Sequence, residues 1–120
     1  MSPKEIVQKF YKSDALIDRE VMQEYLHPEI ILDWNSSKGF IQMNYDSILN
    51  LSQELSKAYV RSKVRISHII AENDLVSLRY SHFVKTIENP REEMLLAHFI
   101  AIWQIKDNKL FKGYQMSQIS

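Results

Sequence analysis

The sequence predicts an α+β fold: a cone-shaped barrel in which a curved, mainly antiparallel sheet wraps around three N-terminal helices. Three observations predict it. Before Tyr59 the apolar residues fall largely at helical spacing, and after it they alternate. Helices grouped ahead of a run of strands indicate segregated layers rather than a doubly wound sheet. Finally, Leu95–Ile105 is apolar on both faces, which a strand tolerates only when both faces are covered.

Each element can be justified in order. Ser2-Pro3 is an N-cap followed by proline at the first helical position, and Ile6, Val7, Phe10 and Tyr11 share one face of the helix it opens. Residues 14–17 break the pattern. Asp18 caps a second short helix with Val21, Met22, Tyr25 and Leu26 as its apolar face. His27-Pro28 ends it, because a residue before proline avoids the α region. Glu29–Trp34 is expected as a short strand and Asn35–Gly39 as a loop. Asp46 is the expected cap of a third helix with a buried stripe of Ile48, Leu51 and Leu55, its start lying there or a few residues earlier.

The alternating half begins with a strand whose faces are Val64, Ile66, His68 and Ile70 against Arg65, Ser67 and Ile69. A turn at Ala71–Asp74 leads to a strand with Val76, Leu78, Tyr80, His82 and Val84 on one face. A wider turn at Glu88–Glu93 follows. The last hairpin runs from Leu95 through the polar turn Lys106–Lys109 to Ser117, with the facing of Tyr114 and Met116 left open. Four strands curling around helices leave a cone whose mouth is a natural place for a small molecule.

Composition narrows the function. A chain of 120 residues is a single domain, residues 1–120, able to bury a sizeable core. Lys plus Arg and Asp plus Glu balance at 15 each, so no nucleic-acid footprint is expected. The absence of cysteine excludes disulfides, thiolate chemistry and cysteine-based zinc sites. No cofactor is implied. The first 20 residues are rich in charge and lack the apolar core of a signal peptide, and no apolar run is long enough to span a membrane. A cytoplasmic protein without membrane contact is the expectation. His68, His82 and His98 each fall on a strand, but without HxH spacing or an accompanying carboxylate, so no metal site is expected.

Four stretches carry a resemblance: Val7–Tyr11, Tyr25–Ile30, Ile70–Tyr80 and Ile102–Leu110. In order and turn type they resemble the nuclear-transport-factor-2-like superfamily, a cystatin-like cone fold, and within it the SnoaL-like branch of small polyketide cyclases and isomerase relatives. The resemblance implies fold more than activity, since this scaffold serves isomerases, hydrolases, cyclases and non-enzymatic binders. It also implies losses. Where ketosteroid isomerases carry a tyrosine on the first helix, this chain has Phe10, with Tyr11 adjacent. Trp34 stands at their general base, with Asp33 one residue before. Ala101 stands at their second acid, which is also the acid/base aspartate position of the cyclases. Arg79, the candidate for the arginine of epoxide-hydrolase relatives, points away from Tyr80.

The resemblance turns the Tyr80 and Trp103 faces inward, and alternation puts His82 beside Tyr80. The expected ligand site is therefore Tyr11, Trp34, Tyr80, His82 and Trp103, with no catalytic residue assigned. The function expected is binding of a small apolar molecule in the cone, with acid/base chemistry of isomerase or cyclase type at His82 or Tyr11 as an extension. The alternative is a non-catalytic dimeric interaction module whose cone is filled by Trp34, Trp103 and Phe99. The second face of the long strand, Leu96, His98, Ile100 and Ile102, is too apolar to leave in water, so a homodimer through the convex sheet face is expected.

Overall fold

The computed structural model describes residues 1–119. Helices α1 (Pro3–Lys12), α2 (Arg19–Tyr25) and α3 (Tyr45–Ala58) pack on a sheet of six strands. The strands are β1 (Leu26–Ser36), β2 (Gly39–Asn44), β3 (Tyr59–Glu72), β4 (Leu75–Thr86), β5 (Met94–Lys106) and β6 (Lys109–Ile119). Their order is β2-β1-β6-β5-β4-β3. All neighbours are antiparallel except β1 with β6, which run parallel. The α+β cone is thus present, with a mixed sheet that curves without closing: β2 and β3 are its free edges.

Local chemistry sets the helix ends. Ser2 accepts from the Glu5 N–H while Glu5 returns a carboxylate to the Ser2 N–H, a reciprocal cap. Asp18 accepts from Glu20 and Val21 to start α2. The third helix departs from expectation. Asn44, not Asp46, is its cap: its side chain accepts from the Ser47 N–H at 3.0 Å, and Ser47 Oγ accepts from the Asn44 N–H at 2.7 Å. Asp46 lies in the first turn, where a carboxylate still favours the positive end of the helix.

The strands depart from simple alternation at several points. β1 begins at Leu26 rather than Glu29. Pro28 is tolerated because pairing with β6 is irregular between Leu26 and Ile31 and pairing with β2 starts only at Ile31. β2, expected as loop and helix approach, is an edge strand. Only Met43 of its six residues is buried, so no alternation marks it, and Gly39 at φ 114° turns the chain into it. A bulge at Ser67 flips the far end of β3, so that Ile69 packs on the core and Ile70 is exposed, the reverse of the expected order. A second bulge, at Leu96, turns that side chain inward, away from the convex face expected for it.

The rest of β4 and β5 alternates as expected. Val76, Leu78, Tyr80, His82 and Val84 are buried, as are Ala97, Phe99, Ala101, Trp103 and Ile105. The β5–β6 turn is tight, with Asp107 and Asn108 both left-handed (φ 54° and 59°), the conformation that matches the twist of a two-residue hairpin. It fixes Gly113 opposite Trp103 and Gln115 opposite Ala101. Tyr114 and Met116 therefore lie on the convex face, opposite Ile102 and Ile100. Among the described residues, no helix is long and apolar enough to cross a membrane.

Candidate functional site

The concave side of the sheet and the three helices enclose a cavity of about 320 Å³, at the lower end of small-molecule pockets (~300–1,000 Å³). The inner face of β5 contributes Ala97, Phe99 and Trp103 to its wall. Phe10 and Tyr11 of α1, Leu16, Met22 of α2, and Ile48, Leu51 and Leu55 of α3 line it from the helical side. Leu96, Ser117 and Ile119 line it from the sheet. No Asp or Glu lines it among the described residues. Its one charged lining residue is Lys38, on the exposed turn between β1 and β2.

All five residues expected from the sequence, Tyr11, Trp34, Tyr80, His82 and Trp103, line this one cavity. The Trp103 indole N–H donates to the Tyr11 hydroxyl at 2.9 Å. The Trp34 indole N–H donates to Ser117 Oγ at 2.8 Å. Tyr80 stacks on Phe99 with ring centroids 4.8 Å apart and planes 6° from parallel, giving one wall a flat aromatic surface. Burial holds the Tyr11 hydroxyl protonated, its pKa pushed up to about 12 against the opposing hydrogen bonds from Tyr80 and Trp103. Burial likewise raises Tyr80 well above the usual phenol range.

His82 is bonded to Ser62, Nε2 to Oγ, at 2.7 Å. Burial lowers its pKa to about 4, so the ring is neutral at pH 7. A neutral imidazole has one donor and one acceptor nitrogen. Ser62 can satisfy either role at Nε2, and Nδ1 then carries the opposite one. Nδ1 has no protein partner among the described residues. His68 and His98 sit on the other side of the sheet, bonded to Ser67 and Ser81, and do not converge with His82. Asp33 also faces outward, accepting from Gln42 at 2.9 Å.

Among the polar residues of the site that sequence reasoning missed are Ser62, which bonds His82, and Gln115. Ser62 lies two residues before Val64 on the same strand face and pairs with Val84 next to His82; extending the alternation back would have found it. Gln115 is buried and lines the cavity. Counting back from the hairpin turn would have misplaced it, because a bulge between Gln104 and Ile105 shifts the register.

No protein-family model matches the chain, and no curated protein matches it in sequence. Solved structures do match. IdmH, a candidate polyketide cyclase of Streptomyces antibioticus, superposes with TM-score 0.75 at 13% identity, over 98% of this chain and 92% of its own. A candidate SnoaL-like polyketide cyclase of Shewanella denitrificans gives 0.73 at 11% identity, over 96% and 89%. An NTF2-like protein of unknown function from Burkholderia pseudomallei gives 0.66 at 12%, over 96% and 90%. At such identities the likeness is one of fold, and the fold is the SnoaL-like, NTF2-like cone.

Proposed function

We propose that this cone binds a small, flat, uncharged and largely apolar molecule, held by aromatic contact and anchored by hydrogen bonds from His82 and its neighbours. The observation that carries the proposal is the cavity itself. The residues that would fill the cone in the alternative reading, Trp34, Phe99 and Trp103, instead line open space. The absence of carboxylates from the described lining, the neutral His82 and the exposed position of Lys38 on the β1–β2 turn favour an uncharged ligand, since a cation buried there would find no partner and an anion would find only that exposed amine. A pKa of about 4 makes His82 a weak base at pH 7 and suits it to hydrogen-bond a carbonyl rather than to abstract a proton. Ring closure is the second reading. It is favoured by the names of the neighbouring structures and by an imidazole placed on the wall of a largely apolar cavity, where it can polarise a carbonyl. Thermal unfolding with and without naphthalene tests binding: the midpoint rises in the wild type and not in Ala97→Phe, whose ring would occupy the cavity. No rise in the wild type counts against it.

We also propose a homodimer packed through the convex sheet face. Ile100, Ile102, Tyr114 and Met116 form directly paired neighbours there and are between 41% and 65% exposed. A patch of that kind on a chain with no net charge favours self-association, and a second copy can meet it about a two-fold axis. Light scattering at micromolar concentration should give twice the chain mass for the wild type and the single mass for Ile100→Glu. A single mass for the wild type rejects the dimer.

A further inference from the structure

The cavity wall holds a polar group that the protein itself leaves unused. Gln115 on β6 is more than nine-tenths buried and lines the cavity. Its side-chain amide makes no hydrogen bond among the described residues, yet no fully buried side-chain nitrogen or oxygen there lacks a partner. The amide therefore borders the cavity space. Its neighbours have other commitments. Trp34, paired with Gln115 on β1, gives its N–H to Ser117, and Trp103 gives its own to Tyr11. Ala101, across from Gln115 on β5, brings only a methyl group. A buried amide costs free energy unless it is paired, and the available pairing here is with whatever enters the cone.

We propose that Gln115 is a specificity-determining residue of the cone, pairing edge to edge with a neutral ligand group that places a carbonyl beside an N–H or O–H. This rests on the reading of the cone as a binding site and names what its ligand carries. A primary amide offers an acceptor and donors in one plane, and a cis-amide, a lactam or a hydroxy-carbonyl edge answers both at once. An amine or a carboxylate answers one and brings a charge. Lys38, the charged lining residue, is exposed on the β1–β2 turn, whereas Gln115 is buried. The stacked Tyr80–Phe99 wall suits a planar body behind that edge.

Calorimetric titration with two probes of equal ring size tests this: 2-quinolone, a lactam, and naphthalene, which has no polar edge. The ratio of their affinities in the wild type should exceed that in Gln115→Met by about tenfold, with 2-quinolone bound more weakly and naphthalene no more weakly by the variant. In the wild type, 2-quinolone should also move the Gln115 side-chain N–H resonances downfield, as a new hydrogen bond does, beyond the ring-current shift that naphthalene alone produces. This second measurement does not depend on how the variant folds. An unchanged ratio, or Gln115 resonances that 2-quinolone moves no further downfield than naphthalene does, overturns the assignment while the binding reading stands. If neither probe binds the wild type, the binding reading fails and takes this inference with it.

Discussion

Trp103 donates its indole N–H to the hydroxyl of Tyr11 across 92 positions of sequence, and the bond is buried. It ties the first helix to the long central strand at the base of the cone. Around it Phe10 meets both Tyr11 and Trp103 edge-on, at ring centroids 4.7 and 6.4 Å apart. Tyr11→Phe leaves the indole N–H buried without a partner, which costs about 1–3 kcal/mol. Urea unfolding should show that loss. The Tyr11→Phe/Trp103→Phe double variant should lose less than the sum of the two single losses, because it removes both partners.

Gly113 is required by the same tryptophan. It pairs with Trp103 across β5–β6, and a Cβ at that position would fall within the indole ring, under 3 Å from three of its carbons. Gly113→Ala should destabilise by about 1–3 kcal/mol, as overpacking does. Trp103→Phe in the same chain should recover part of that. A Gly113→Ala protein with an unchanged denaturation midpoint would show that the ring does not lie there.

His82 makes stability depend on pH in a defined window. Its folded pKa, about 4, lies below the ordinary 6.5, so the unfolded chain takes up the proton first. The contribution of this residue is complete above about pH 7 and is lost as pH falls from 6.5 through 4. The loss is roughly 3–4 kcal/mol at most. The difference in unfolding free energy between wild type and His82→Gln should shrink over that range. A difference that stays constant with pH would place the imidazole in water.

Steroid-isomerase activity is not expected. By the resemblance read from the sequence, Trp34 stands at the position of its general base and Ala101 at that of its second acid, and Asp33 points away from the cavity to bond Gln42. Proton exchange at a ketone α-carbon, followed by NMR in deuterated buffer, should run at the buffer rate with or without protein. Exchange at the rate of a dedicated isomerase, lost in His82→Ala, would contradict this.

The sequence made the cone legible through periodicity, because α1, β4 and β5 each bury a regular face. Tyr80 and His82 could be put on one face because alternation in the middle of β4 is unbroken, while the inward facing of that face and of Trp103 came from the resemblance. What escaped has a common physical cause. The bulges at Ser67 and Leu96 each insert one residue, which reverses the short end of the strand, Ile69 and Ile70 in β3 and Leu96 in β5, and periodicity does not reveal an insertion. β2 carries one buried residue and so leaves no pattern. Asn44 was passed over as a cap for Asp46, although the reciprocal partner Ser47 stands three residues after Asn44. Gln115 was hidden behind the irregular register of the hairpin, and it is the residue on which the proposed specificity turns.

The central claim is that the cone is an open binding cavity, and the two tryptophans test it directly. Trp34 and Trp103 are the only tryptophans in the chain, and both line the cavity. In a proton–nitrogen correlation spectrum titrated with naphthalene, both indole N–H signals should move along saturating curves with one common dissociation constant and one ligand per chain. Indole signals that stay in place up to the solubility limit of the probe, while surface signals drift, would contradict the account.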